Sequence, residues 1–202
     1  AQRTPPNAFD LHIFACTPET VVFDPDRQGR VRRERVAGVA GACVLHEVLS
    51  KHECAQLLAI SHRMGFSEDE PVSRGEPYPT LACEWLVDAS ILAPLWERTR
   101  QHLPDHMLGA QLHSINARWR LFEYPQGAVY RPHIDGSWPA SGLVDGQYVH
   151  DVEGPSVRSR LTFLLYLNDD FDGGETSFFV PRPDALDGLE KIRVQPRAGS
   201  VL

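Results

Sequence analysis

The sequence lacks any long hydrophobic run, has few cysteines and carries no excess of basic residues. A membrane-spanning helix needs about 20 consecutive apolar residues. No stretch approaches that length, so we expect no membrane span. The formal charge of -7 over 202 residues argues against a nucleic-acid partner, because nucleic-acid binders neutralise phosphates with a basic face.

The four cysteines, Cys16, Cys43, Cys54 and Cys83, include no Cys-x-x-Cys pair. This spacing argues against a zinc ribbon and gives no compact disulfide framework. We therefore favour an intracellular compartment, although no feature of the sequence fixes the localisation.

Two segments have the pattern of helices. Ser50 and Glu53 form a capping box, and apolar residues then recur at helical spacing until Gly65. A second helix is predicted to open near Ser90 and to end at Pro104. We expect both helices to pack against a sheet.

Strands dominate the prediction after His113. The segment 116–124 alternates like a half-buried strand, and 160–167 is a nearly continuous apolar run. Shorter strands are predicted at 175–180, 192–194 and 199–202. Helices followed by many short strands favour a mainly β fold with supporting helices, of the sandwich or jelly-roll type.

The N-terminal part has a different character. Between Thr20 and Val36 a β-branched run is followed by the turn residues Asp24, Pro25 and Gly29, which predicts a hairpin. We therefore divide the chain into an N-terminal extension, residues 1–36, and one domain, residues 37–202.

The most informative motif is His133-Ile134-Asp135. On a strand the first and third residues project to the same face, so an imidazole and a carboxylate converge while Ile134 turns to the opposite layer. With a second histidine they would form the facial ligand set of non-haem iron(II) oxygenases. Taken alone, the triplet is common by chance.

The surroundings of this triplet resemble a known family. Residues 124–135, YPQGAVYRPHID, resemble the tyrosine, glycine and His-x-Asp pattern of the prolyl 4-hydroxylase-like branch of the iron(II)- and 2-oxoglutarate-dependent dioxygenases. Downstream, SRLTFLLYLND at 159–169 resembles the next core strand, and GGET at 173–176 resembles its hairpin. The resemblance covers about Val39 to Leu202.

Membership would imply a double-stranded β-helix, or jelly roll, and a hydroxylase acting on an unactivated C–H bond. The resemblance assigns His133 and Asp135 as iron(II) ligands, and Tyr124, Tyr166 and Thr176 as residues that bind the co-substrate 2-oxoglutarate. For those last three the alternative is an ordinary packing role. Dioxygen is the other co-substrate, and the resemblance also allows ascorbate. The implied substrate is a peptide, with a peptidyl proline tested first, or a small molecule.

The sequence departs from the family pattern at its end. Members of this branch carry a third ligand, a histidine, and a basic 2-oxoglutarate anchor beyond the strand that 199–202 begins. The sequence stops at Leu202, so we expect that the C-terminal part of the barrel is absent through truncation. The alternatives are a catalytically inactive jelly-roll scaffold or interaction subunit of a larger assembly, and a cupin-like zinc or manganese enzyme.

Overall fold

The computed structural model describes residues 13–14, 20–69, 75, 77–182 and 188–202. This part of the chain is mainly β with two α-helices, which confirms the predicted class, and its strands form no closed barrel among the described residues. The strands are β1 (Ile13–Phe14), β2 (Arg32–Arg35), β3 (Cys43–His46), β4 (Ser67–Glu68), β5 (Leu81–Leu86), β6 (His106–Met107), β7 (Ala110–Gln111), β8 (Arg118–Glu123), β9 (Gly142–Val144), β10 (Gln147–Val149), β11 (Thr176–Pro181) and β12 (Leu189–Val194). The helices are α1 (Lys51–Met64) and α2 (Ala89–Thr99), with short 3-10 helices η1 (Pro25–Arg30) and η2 (Arg100–His102).

The chain divides into two compact units, each described by itself. The first comprises residues 1–21, 58–96 and 105–162, and the second comprises residues 22–57, 97–104 and 163–202. The predicted division at residues 36 and 37 stays a prediction. Residues 1–12 and 15–19 of the predicted extension lie outside the described residues.

The first unit is built on the buried strand β5. Strand β8 pairs antiparallel with β5 over its whole length, while β1 pairs parallel and β4 antiparallel with it. Trp85 on β5 is fully buried and meets Trp119 on β8 edge-on, with 6.0 Å between ring centroids. Strand β8 confirms the strand predicted at 116–124, and it leads directly into the segment that carries the His-x-Asp motif.

Strand β5 also carries a buried carboxylate. Glu84 is 2% exposed, and Arg118 on β8 donates from Nη2 to both of its oxygens, at 2.7 and 2.6 Å. A carboxylate removed from water is tolerated when it is paired and hydrogen-bonded. The pair therefore ties β8 to β5 at the end where β8 begins.

The second unit corrects the hairpin predicted within Thr20 to Val36. Residues 25–30 form η1, and β2 pairs antiparallel with β3 instead. The cause is local, because the Asp24 side chain accepts a hydrogen bond from the Asp26 N–H, at 3.0 Å, and Pro25 suits the first position of a helix. Asp24 and Pro25 thus start a 3-10 helix, and the hairpin forms between β2 and β3 instead.

The second unit also contains a hairpin and a short set of pairings at Val201. Strands β11 and β12 form a hairpin that confirms the strands predicted at 175–180 and 192–194. Val201 pairs antiparallel with Leu45 and with Leu165, and backbone hydrogen bonds extend the second pairing from Leu164 to Tyr166. Among the described residues, the run predicted as a strand at 160–167 is therefore paired within this unit only from Leu164 to Tyr166.

Both predicted helices are confirmed. Helix α1 follows a reciprocal capping box, in which the Ser50 hydroxyl accepts from the Glu53 N–H at 3.1 Å and the Glu53 carboxylate accepts from the Ser50 N–H at 2.6 Å. It ends before Gly65, whose φ of 82° is the left-handed conformation that closes a helix. Helix α2 runs into η2.

The capping carboxylate of α1 also forms the buried ion pair of the second unit. Arg98 donates from Nη2 to Glu53 Oε1 at 2.9 Å and from Nη1 to Oε2 at 3.2 Å. The same guanidinium donates to the carbonyl oxygens of Val48 and Asp24, at 2.9 and 2.6 Å. Burial would raise the pKa of Glu53, but the hydrogen bonds from Arg98, Ser50 and Asp24 outweigh it and lower the pKa.

We predict that Glu53→Gln destabilises the protein by about 3 to 5 kcal/mol, because it leaves the Arg98 guanidinium buried without its counter-charge. Glu97→Gln is the matched control, since Glu97 pairs with Arg100 at 3.5 Å where both side chains are exposed, and such pairs contribute about 1 kcal/mol or less. Urea unfolding at neutral pH measures both. Equal losses in the two variants would contradict the role of the buried pair.

The lowered pKa fixes the sign of the pH dependence. A carboxyl whose pKa is lower in the folded state stabilises the protein above its unfolded pKa, and that stabilisation is lost as the pH falls through the folded pKa. Glu53→Gln should therefore lose less stability on acidification than the wild-type protein does.

We predict that Gly199→Ala destabilises the second unit far more than Gly41→Ala. Both glycines have left-handed φ values, 81° and 80°, which cost an alanine about 1 to 2 kcal/mol. A Cβ at Gly41 would meet nothing within 4 Å, whereas one at Gly199 would lie 2.1 Å from the Leu49 carbonyl oxygen. Urea unfolding compares the two variants, and equal losses would show that the backbone conformation alone decides the effect.

Candidate metal centre

The predicted metal ligands lie in the first unit, between β8 and β9. His133 Nε2 and Asp135 Oδ1 are 3.1 Å apart, so the two side chains converge as predicted. The segment is not a regular strand, and Ile134 is 97% exposed instead of packing into an opposite layer. The expected strand geometry is therefore wrong here, although the expected convergence is right.

Asp135 begins a short ribbon that holds this segment in place. The Trp138 N–H donates to Ser159 Oγ, and the Ser159 N–H donates to the Trp138 carbonyl oxygen, both at 2.8 Å. Pro139 and Arg158 form the next antiparallel bridge. In the same register, Thr162 Oγ1 donates to Asp135 Oδ2. The ribbon thus places the Thr162 hydroxyl on the carboxylate.

The hydrogen-bond partners determine where the His133 ring proton lies. His133 Nδ1 is 2.8 Å from the Arg131 carbonyl oxygen, and a carbonyl oxygen only accepts. Nδ1 must therefore carry a proton, which in the neutral ring leaves the lone pair of Nε2 directed at Asp135 Oδ1. Since an ionised carboxylate oxygen also only accepts, two acceptors face each other across 3.1 Å. The arrangement needs a shared proton or a shared cation.

The spacing suits a metal ion. Two ligands that bind at right angles with bonds of about 2.1 Å have donor atoms about 3.0 Å apart. Metal-binding histidines usually donate their other ring N–H to a carbonyl or carboxylate, and ligating carboxylates are themselves hydrogen-bonded. The Arg131 carbonyl and the Thr162 hydroxyl supply these outer contacts. His133 and Asp135 therefore fit as two of the ligands.

The described residues do not complete the set. Across the described ranges, no group of three or more His, Cys, Asp or Glu side chains could hold a metal ion. Among the described residues, His133 and Asp135 are therefore the two candidate ligands at this position.

A row of aromatic rings lies next to the His133 ring. The Tyr130 ring lies 4.7 Å from the His133 ring, and Phe122 on β8 lies 5.3 Å from Tyr130 and 6.2 Å from Tyr124. Burial raises the pKa of Tyr130, so its hydroxyl stays protonated at neutral pH.

Sequence reasoning missed Tyr130 as a neighbour of the candidate site, although an aromatic residue three positions before His133 was a usable signal. Tyr124, a predicted 2-oxoglutarate residue, is 52% exposed at the end of this row.

The other two predicted co-substrate residues lie in the second unit and contact each other. Tyr166 Oη and Thr176 Oγ1 are 2.7 Å apart. Burial raises the pKa of Tyr166, although the hydrogen bond to Thr176 partly offsets it. The structure therefore supports a shared position for this pair, and the role of the pair in binding a co-substrate stays a prediction.

No family model, no curated protein and no solved structure matches this chain. No helix in the described ranges is long and apolar enough to cross a membrane. The case for the site therefore depends on its own geometry and on the sequence motifs.

We predict that Tyr166 and Thr176 are energetically coupled. A double-mutant cycle with Tyr166→Phe and Thr176→Val should give a coupling free energy of about 0.5 to 1.5 kcal/mol, measured by urea unfolding. The control cycle uses Ser177→Ala, because Ser177 is the next residue on β11 and projects to the opposite face. A coupling no larger than that of the control would contradict the hydrogen bond.

Proposed function

We propose that this chain carries part of the catalytic domain of an iron(II)- and 2-oxoglutarate-dependent oxygenase of the prolyl 4-hydroxylase-like type, with a double-stranded β-helix as its complete fold. Three motifs that occur in family order support this, at 124–135, 159–169 and 173–176. The mainly β architecture is compatible with such a fold.

One observation carries the proposal. His133 Nε2 and Asp135 Oδ1 converge to 3.1 Å while both outer atoms, His133 Nδ1 and Asp135 Oδ2, are already hydrogen-bonded. This is the donor set, spacing and outer support that an iron(II) ligand pair requires. The third protein ligand would come from outside the described residues.

The proposal assigns a role in co-substrate binding to the three other predicted site residues. Tyr166 and Thr176 would supply hydroxyl donors to a carboxylate of 2-oxoglutarate, since a dianion leaving water needs such donors. The resemblance also assigns Tyr124 to the binding of 2-oxoglutarate. When bound with 2-oxoglutarate, iron(II) supplies the activation of dioxygen that hydroxylates a C–H bond, and the protein supplies orientation and exclusion of water.

The substrate is proposed from the resemblance alone. A peptidyl proline is the first to test, because the motifs resemble the prolyl 4-hydroxylase-like branch. Substrate choice depends on loops that vary within a fold, so other peptides or a small molecule belong in the same screen, with ascorbate added as reductant.

A second candidate is a catalytically inactive scaffold. It is favoured by the lack of a three-residue metal cluster in the described ranges. In that case the convergence of His133 and Asp135 reflects a proton shared by an imidazolium and a carboxylate.

We predict that the complete polypeptide binds iron(II) and that His133→Ala weakens this binding by more than about 100-fold, the upper limit for loss of an outer contact. Anaerobic calorimetry measures iron(II) affinity and then 2-oxoglutarate affinity with and without the metal. His62→Ala is the matched control, because His62 also lies near a carboxylate, 3.5 Å from Glu123, on an exposed surface.

The outcomes separate the candidates. Affinity for 2-oxoglutarate that appears only with iron(II), and is lost in His133→Ala but kept in His62→Ala, supports the oxygenase. Binding of zinc or manganese without 2-oxoglutarate favours a cupin-like enzyme, and no metal affinity at all favours the scaffold.

A further inference from the structure

The two oxygens of the Asp135 carboxylate have different surroundings. Oδ1 lies 3.1 Å from His133 Nε2, whereas Oδ2 accepts a hydrogen bond from Thr162 Oγ1. A free carboxylate rotates about its last bond and offers either oxygen, or both, to a metal. The contact with Thr162 distinguishes the two oxygens.

We infer that Thr162 is a positioning residue that makes Asp135 a one-oxygen metal ligand, an inference that rests on the proposed function. By holding Oδ2, the hydroxyl directs Oδ1 toward the position that His133 Nε2 also faces. A hydrogen bond to an ionised carboxylate is stronger than a neutral one, so it biases the rotation even at an exposed site. A carboxylate that binds through one oxygen leaves an additional coordination position open for other ligands.

The ribbon fixes Thr162 independently of its hydroxyl. The register is held by the backbone hydrogen bond from the Ser159 N–H to the Trp138 carbonyl oxygen, by the Trp138 N–H donating to Ser159 Oγ, and by the bridge between Pro139 and Arg158. None of these contacts involves the side chain of Thr162. The hydroxyl can therefore be removed while the ribbon keeps its pairing.

The test uses the complete polypeptide and cobalt(II), whose visible absorption reports the number of ligands and their geometry. Thr162→Val should lower cobalt(II) affinity by about 10- to 100-fold, as loss of an outer hydrogen bond does. It should also alter the absorption spectrum, because the freed Oδ2 can coordinate. Thr162→Ser keeps the hydroxyl and should restore both the affinity and the spectrum.

Ser137→Ala is the matched control, because it removes one ribbon hydrogen bond two residues from Asp135 without touching the carboxylate. Its cobalt(II) affinity and spectrum should equal those of the wild-type protein, and urea unfolding shows what each variant costs in stability. Equal affinities in wild type and Thr162→Val, equal losses in Thr162→Val and Ser137→Ala, or failure of Thr162→Ser to restore binding would each overturn the role of Thr162 alone. A wild-type protein with no affinity for cobalt(II) or iron(II) would overturn the proposed function, and this inference with it.

Discussion

A carboxylate removed from water must be paired, and each unit of this protein contains at least one such pair among the described residues. In the first unit, Glu84 on the central strand β5 is paired with Arg118 on β8. In the second, Glu53 at the start of α1 is paired with Arg98 at the end of α2. Breaking such a pair is costly because it leaves a buried charge, so each pair restricts how its neighbouring elements can pack. Strand β8, which this pair ties to β5, leads into the His-x-Asp segment.

The sequence predicted elements well where a local signal agrees with the tertiary packing. The capping box at Ser50 and Glu53 predicted the start of α1 correctly, and the tertiary packing agrees with it, because the carboxylate that caps the helix also pairs with Arg98. The hairpin predicted within 20–36 failed because its turn residues also suit the start of a 3-10 helix, and the pattern does not say which strand will pair with which. Helix and turn chemistry is local, whereas strand pairing is decided by residues far apart in the chain.

The sequence predicted the convergence of His133 and Asp135 but not the contacts that support them. The His-x-Asp triplet and its flanking motifs pointed to His133 and Asp135, and the structure brings these side chains together. The outer contact from Thr162 was not predicted, because it depends on the register of the ribbon between 135–139 and 158–162. A polar residue inside the otherwise apolar run at 160–167 was the available signal. The exposed Ile134 shows that strict strand alternation does not hold at this site.

The pair at 133 and 135 differs from two other histidine–carboxylate pairs in how its side chains are held. His62 with Glu123 and His46 with Glu34 are also close, at 3.5 and 2.8 Å. Among the described residues, neither of these pairs has a further hydrogen bond from both partners that would fix the ring and the carboxylate. The pair at 133 and 135 has both, to the Arg131 carbonyl and from the Thr162 hydroxyl. Fixing two exposed side chains in one conformation costs conformational entropy. An exposed ion pair contributes too little stability to offset that cost. The proposed metal ion would stabilise this fixed arrangement much more than an ion pair does, because metal affinity depends on both ligands being held in place.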